Sequence, residues 1–219
     1  LFRSKEVFWS RFANPELLKG NDAAVLDWSP GRLAVTTDSF VVTPWKFPGG
    51  DIGRLAVAGT VNDLTMMGAE PKALTTSFII EEGFELESLK QIVQSIADTA
   101  AEAGVPIITG DTKVVERGAA DGLFINTTGI GLVEPEINLG GDKARPGDQV
   151  IITGTIGDHG ATILLARGDL RISAQINSDA APLNRMLFPL LQKFREGIHV
   201  MRDPTRGGVA VALNAIARQ

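Results

Sequence analysis

Apolar and polar positions along this chain switch repeatedly between two periods. Residues 33–38 alternate like a strand and end at Asp38. Residues 51–68 carry apolar side chains at helical spacing, with Asp51 as the N-cap and Gly68 near the end. Residues 72–80 read as a strand. Leu86, Leu89, Val93, Ile96 and Ala100 return to the helical period, and Gly104 and Pro106 close that helix. A short apolar strand over 106–109 runs into Gly110-Asp111, and a long strand covers 123–133.

Glycine, charge and proline then crowd into 140–147, which reads as a linker. It divides the chain into segments 1–139 and 148–219. The second segment predicts a strand over 149–153 and helices over 159–167, 183–194 and 209–218, with Pro189 kinking or restarting the middle one. Phe8 and Phe12 lie one helical turn apart and suggest a short helix near the start. Strands alternating with helices give an α/β or α+β class.

The chain has 219 residues, 44% of them hydrophobic, enough for one large domain or two small ones. No run of about 18 apolar residues exists to span a membrane. A net charge of −5 disfavours nucleic acid as a partner, because phosphate backbones attract basic faces. There is no cysteine, hence no disulfide, thiolate zinc site or thiol nucleophile in these residues, which fits a cytoplasmic protein. His159 and His199 are the two histidines, too few for a histidine metal site. Residue 1 is leucine, and residues 148–219 promise few strands, so the chain is expected to lack parts at both ends.

The aspartates supply the candidate chemistry. On the helix from Asp51, residues Ile52, Ala56, Gly59, Asp63 and Met66 form one stripe. Asp63 therefore lines up with core-facing residues, where a lone carboxylate costs several kcal/mol and calls for a cation, donors or a raised pKa. A hydrogen-bonded structural aspartate would meet the same need. Asp38 and Asp111 each follow an apolar strand, where ligands of α/β sheets gather. Magnesium favours carboxylates together with phosphate oxygens and water. Either aspartate alone reads as a turn residue. Together with Asp63, and with Asp22 in Asn21-Asp22-Ala23-Ala24-Val25, they favour a site.

Lys113 lies two residues beyond Asp111, placed either to touch phosphate oxygens or to rest in solvent. Asp203-Pro204-Thr205-Arg206-Gly207-Gly208 precedes a helix that Thr205 would cap. Its amides and Arg206 suit an anion, and an ordinary helix start would use the same residues. The stretch Gly157-Asp158-His159-Gly160 follows a predicted strand but fits neither the dinucleotide nor the P-loop pattern. His159 and His199 read as structural.

Taken together these segments resemble the ATP-dependent superfamily typified by aminoimidazole ribonucleotide synthetase. Within it they are most similar to the HypE family of hydrogenase-maturation carbamoyl dehydratases. The carriers are Asn21 to Leu26, Thr37-Asp38-Ser39-Phe40, Val61-Asn62-Asp63-Leu64, Gly110-Asp111-Thr112-Lys113-Val114-Val115, Gly157 to Gly160, and Arg202 to Gly208. The last separates this branch from selenophosphate synthetase and thiamine-monophosphate kinase.

The resemblance implies an α+β (α/β sandwich) architecture. A PurM-like N-terminal domain over 1–139, with a mixed sheet and flanking helices, precedes an incomplete PurM-like C-terminal domain over 148–219. It implies ATP and Mg2+ as cofactors and a homodimer that pairs its N-terminal sheets. It further implies a carbamoyl group received from HypF on a C-terminal cysteine, ATP-dependent dehydration to a thiocyanate, and cyanide passed to iron on HypC–HypD for [NiFe]-hydrogenase. Carried onto this chain, Asp38, Asp63, Asp111 and, more weakly, Asp203 hold metal. Asp63 and Lys113 are the catalytic candidates. Asn62, Asp111, Thr112, Lys113, Arg206 and Asp22 bind the nucleotide. The family's glycine-rich N-terminal segment and its cysteine are not among these residues. A superfamily kinase acting on a soluble substrate, which needs no cysteine, and a non-catalytic dimeric scaffold are the alternatives.

Overall fold

The computed structural model describes residues 19, 21, 23–27, 31–168 and 174–218. The expected helix at Phe8 and Phe12, and Asp22, lie outside the described residues. Five strands form the main sheet: β1 (Ala24–Asp27), β2 (Arg32–Phe40), β5 (Ala69–Glu81), β6 (Ile107–Val115) and β7 (Leu123–Val133). Their order is β1-β2-β7-β5-β6. Only β5 and β6 run parallel, joined by a crossover helix, so the sheet is mixed. A two-stranded ribbon, β3 (Lys46–Phe47) and β4 (Gly50–Asp51), leads into α1 (Ile52–Met66). α2 (Leu86–Ala103) connects β5 to β6.

The sheet carries α1 and α2 on one face. Residues 123, 125, 127, 129, 131 and 133 of β7 are all buried, and the alternate positions are more open. This is the period-two pattern of a sheet covered on one side. α1 lies on the covered side and is buried over most of its surface, because the sheet, α2 and residues 176–183 all pack on it. Ile52, Val57, Val61, Leu74, Ile92 and Ile125 form the centre of the core, each almost fully buried.

Asp51 caps α1 as its sequence suggests: its side chain accepts from Arg54 N at 2.9 Å. Gly104 ends α2 in the left-handed conformation, with φ of 75°. The close fit of α1 on the sheet depends on Gly129. A Cβ there would stand 2.8 Å from Thr60 Cγ2 and 2.9 Å from Leu64 Cδ1. Gly129→Ala should cost about 1–3 kcal/mol by overpacking, read as a lowered urea midpoint with an unchanged slope.

Beyond β7 come a 3-10 turn (Gly141–Lys143), α3 (Asp158–Arg167), α4 (Asn184–Lys193) and α5 (Gly208–Ile216). Two expectations fail here. Residues 149–153 form no strand, and Val150, Ile151 and Ile152 are 52–81% exposed. A strand needs a hydrogen-bonded neighbour, and no described residue supplies one. Pro189 lies inside α4, which does not restart there. Thr205 does not cap α5: the cap is Gly207, with φ of 81° and no side-chain bond. Among the described residues no helix is long and apolar enough to cross a membrane.

Candidate active site

Asp63 and Asp38 meet where α1 crosses β2. Asp38 shares the covered face of β2 with Thr36, two residues away, and Thr36 Oγ1 donates to Asp63 Oδ2 at 2.9 Å. The Asp38 and Asp63 carboxyls are within hydrogen-bonding reach of each other. Burial, followed by the charges of Asp38 and Asp203, pushes the Asp63 carboxyl up to about 9, and Thr36 partly opposes this. The protonated form of Asp63 is therefore favoured at neutral pH. Two half-buried carboxyls with a third, Asp203, in electrostatic range are oxygen donors of the kind that magnesium takes together with phosphate and water. Among the described residues no group of three or more acidic, histidine or cysteine side chains is placed to hold a metal ion by itself. Asp38 and Asp63 could supply only part of a coordination shell, the rest coming from phosphate and water.

Asp38 and Asp111 lie inside strands, not beyond their ends. Extended backbone continues past both, because partner strands are present to pair with it. Asp111 does not join the Asp38–Asp63 pair within one chain. Register aligns Asp38 with Thr127 and Thr76, and Thr76 with Gly110, so three strand spacings, about 14 Å, separate the two strands. Asp111 is aligned instead with Ser77 and Asn126, at positions alternate to the covered ones. Thr112 is exposed beside it, and Lys113 makes a 3.4 Å ion pair with Asp111. The structure thus splits the expected set into Asp38, Asp63 and Asp203 near α1, and Asp111, Thr112 and Lys113 on β6.

Asn62 stands next to Asp63 but faces elsewhere. Its Nδ2 donates to Ala181 O at 3.0 Å, and its Oδ1 accepts from Leu183 N at 2.8 Å. Arg206 is exposed on the turn before α5. His159 is the second residue of α3. Its Nδ1 lies 3.0 Å from Ser178 Oγ, and burial keeps its pKa below the usual value. His199 Nδ1 is 2.9 Å from Asp148 Oδ2, a partner that draws the Asp148 carboxyl below its usual range.

Sequence reasoning missed Thr36. Its one signal is a two-residue spacing from Asp38, which places both on one strand face. Buried hydroxyls continue across the covered face: Thr60 and Thr127 share a hydrogen bond, and Thr127 also donates to Ala56 O at 3.3 Å. Nothing in the local pattern announces these two.

Comparison with known proteins now sets this geometry in a family. Residues 20–133 match the AIR synthase related protein, N-terminal domain, and residues 145–219 the AIR synthase related protein, C-terminal domain. The chain is 53% identical over 213 residues to carbamoyl dehydratase HypE of Bradyrhizobium diazoefficiens, covering 97% of this chain and 62% of that protein. It superposes on HypE in a HypE–HypF complex with a TM-score of 0.93 at 52% identity, over 99% of this chain and 70% of that one. It also superposes on a HypE in complex with ATP with a TM-score of 0.82 at 52% identity, over 99% of this chain and 64% of that one. The chain spans about six tenths of the length of the curated relatives it matches. By the match over residues 20–133, and by a mixed sheet flanked by helices on one face, the chain belongs to the AIR synthase related proteins.

Proposed function

We propose that the protein to which this chain belongs is an ATP-dependent carbamoyl dehydratase of [NiFe]-hydrogenase maturation. In this reading residues 1–139 form the nucleotide, metal and dimer domain, 140–147 the linker, and 148–219 the first part of the second domain. The observation that carries the reading is the 53% identity to a carbamoyl dehydratase over almost the whole chain, with the Asp38–Asp63 pair at the crossing of α1 and β2. The relatives solved with ATP and with HypF support ATP as the nucleotide and HypF as the carbamoyl donor. HypC–HypD is the proposed acceptor of the cyanide, and the cytoplasm the proposed compartment.

The substrate is a thiocarboxamide on a cysteine of the whole protein. Its amide oxygen is a poor leaving group. Attack of that oxygen on the γ-phosphorus releases ADP, and the phosphorylated oxygen then departs as phosphate. The nitrogen loses two protons, leaving a thiocyanate. Asp38, Asp63 and Asp203 would hold Mg2+, which neutralises phosphate charge when bound. Asp63, with its raised pKa, can keep or release a proton beside that charge. Lys113 would steady the moving negative charge, Thr112 and Arg206 would bind phosphate oxygens, and Asp111 would help hold a cation beside them. The separation of β6 from the Asp38–Asp63 pair supports a homodimer in which one chain's β6 faces the other chain's carboxyls.

The test is a mass spectrum of the C-terminal peptide of the native, full-length protein, incubated with a carbamoyl donor and then with MgATP. A terminal cysteine should carry a carbamoyl group that loses one water only when ATP is present. A native terminus without a modifiable cysteine would refute the dehydratase reading.

A further inference from the structure

Residues 176–183 form a strap across α1, held by polar contacts. Ser178 N donates to Pro48 O at 2.9 Å, and Arg54 Nε donates to Ala180 O at 2.9 Å. Asn62 uses both ends of its amide, donating to Ala181 O and accepting from Leu183 N. A side-chain amide placed this way imitates a neighbouring peptide, and Asn62 is only 9% exposed. Truncating it would strand a strap N–H and C=O away from easy replacement by water.

Asn62 is also the residue before Asp63. Successive helix positions point about 100° apart, so one turn of α1 presents a carboxyl to the sheet and an amide to the strap. At the strap's other end Asp179 Oδ1 accepts from His159 N at 3.0 Å, capping α3, and Ser178 Oγ meets His159 Nδ1. The His159 ring packs edge-on against Phe47 of the ribbon, with centroids 5.3 Å apart. A continuous line of contacts therefore runs from α1 through the strap to the start of α3.

We infer that Asn62 is a positioning residue whose amide locks the strap onto α1, and that it thereby sets α3 and His159 relative to the Asp38–Asp63 pair. This replaces phosphate binding as the role of Asn62. It makes the helix turn that bears Asp63 the place where the first segment grips the second. Arg54 serves the same strap from one end, and its guanidinium is anchored by Glu102 at 2.7 Å.

The experiment is hydrogen exchange on the full-length protein, wild type against Asn62→Ala and Arg54→Ala, with ATP affinity and turnover measured on the same samples. Both variants should speed exchange in residues 180–187 by about tenfold while residues 123–133 keep their protection. Both should lower kcat more than they weaken ATP binding. An unchanged strap in both variants overturns the inference. So does an unchanged strap with lost ATP affinity in Asn62→Ala, which would return Asn62 to the phosphates. If Asn62→Ala fails to fold, Arg54→Ala carries the test. The kinetic arm rests on the proposed reaction, whereas the exchange arm does not. A loosened strap in a protein with no ATP-dependent turnover would therefore overturn the reaction and leave the strap standing.

Discussion

Replacing Asp63 by asparagine should raise the melting temperature of the metal-free protein while removing most of the proposed ATP-dependent reaction. The Asp63 carboxyl is raised from 3.8 to about 9 by burial and by its acidic neighbours. Between those two values the folded chain holds a proton that the unfolded chain has released. Stability linked to this group is therefore fully present below pH 3.8 and is lost as pH rises towards 9. An amide of the same shape has no proton to lose and removes this pH dependence. At pH 8 the gain should be about 2–4 kcal/mol after discounting for solvent and for coupling to Asp38. That corresponds to roughly 5–10 °C in a domain of this size.

Magnesium with nucleotide should reverse the order. In the proposed reading Mg2+ displaces the Asp63 proton and stabilises the wild type, whereas Asp63→Asn gains little. Turnover should fall by at least about 100-fold. Scanning calorimetry of both proteins from pH 5 to 9, with and without MgATP, checks the two signs together. Equal pH dependence in the two proteins would show that the Asp63 carboxyl is not raised.

Lys113→Ala should lower turnover by about 10²–10³-fold with little change in ATP affinity, because a cation aimed at moving charge acts mainly in the transition state. Within one chain Lys113 stands on β6, three strands from Asp38, exposed and in an ion pair with Asp111. If it acts, it acts on a site completed by a second copy. Inactive Lys113→Ala and inactive Asp63→Asn chains, mixed and reassembled, should then recover about a quarter of wild-type turnover. Half of the random dimers are mixed, and each of these has one intact site. No recovery after verified subunit exchange would place Lys113 and Asp63 in the same chain's site, or Lys113 in none.

The two effects differ in how easily the sequence reveals them. Asp63 betrays itself locally, because a carboxylate in register with Ile52, Ala56 and Met66 is anomalous at helical period. Thr36 is nearly silent: a threonine in a strand is ordinary, and only its pairing with α1 gives it a role. Asn62 was legible as part of a motif, but its hold on residues 181–183 was not. Its partners, Ala181 and Leu183, lie about 120 residues away, and no local pattern reports a contact of that separation.

By itself the sequence determined α1, α2 and the strands β2, β5 and β7 of the first segment, the cap at Asp51, the left-handed end at Gly104, the acidic and lysine residues worth testing, and the family they resemble. Those features rest on period, turn chemistry and short-range hydrogen bonds, which act over one to four residues. Tertiary structure alone decided that Asp38 and Asp63 meet where α1 crosses β2, that Asp111 and Lys113 stand apart from them, and that residues 149–153 stay unpaired. Each of those outcomes depends on which strands lie side by side. Strand neighbours are chosen by the burial of a whole sheet face against α1 and α2, a quantity that no single stretch of sequence contains.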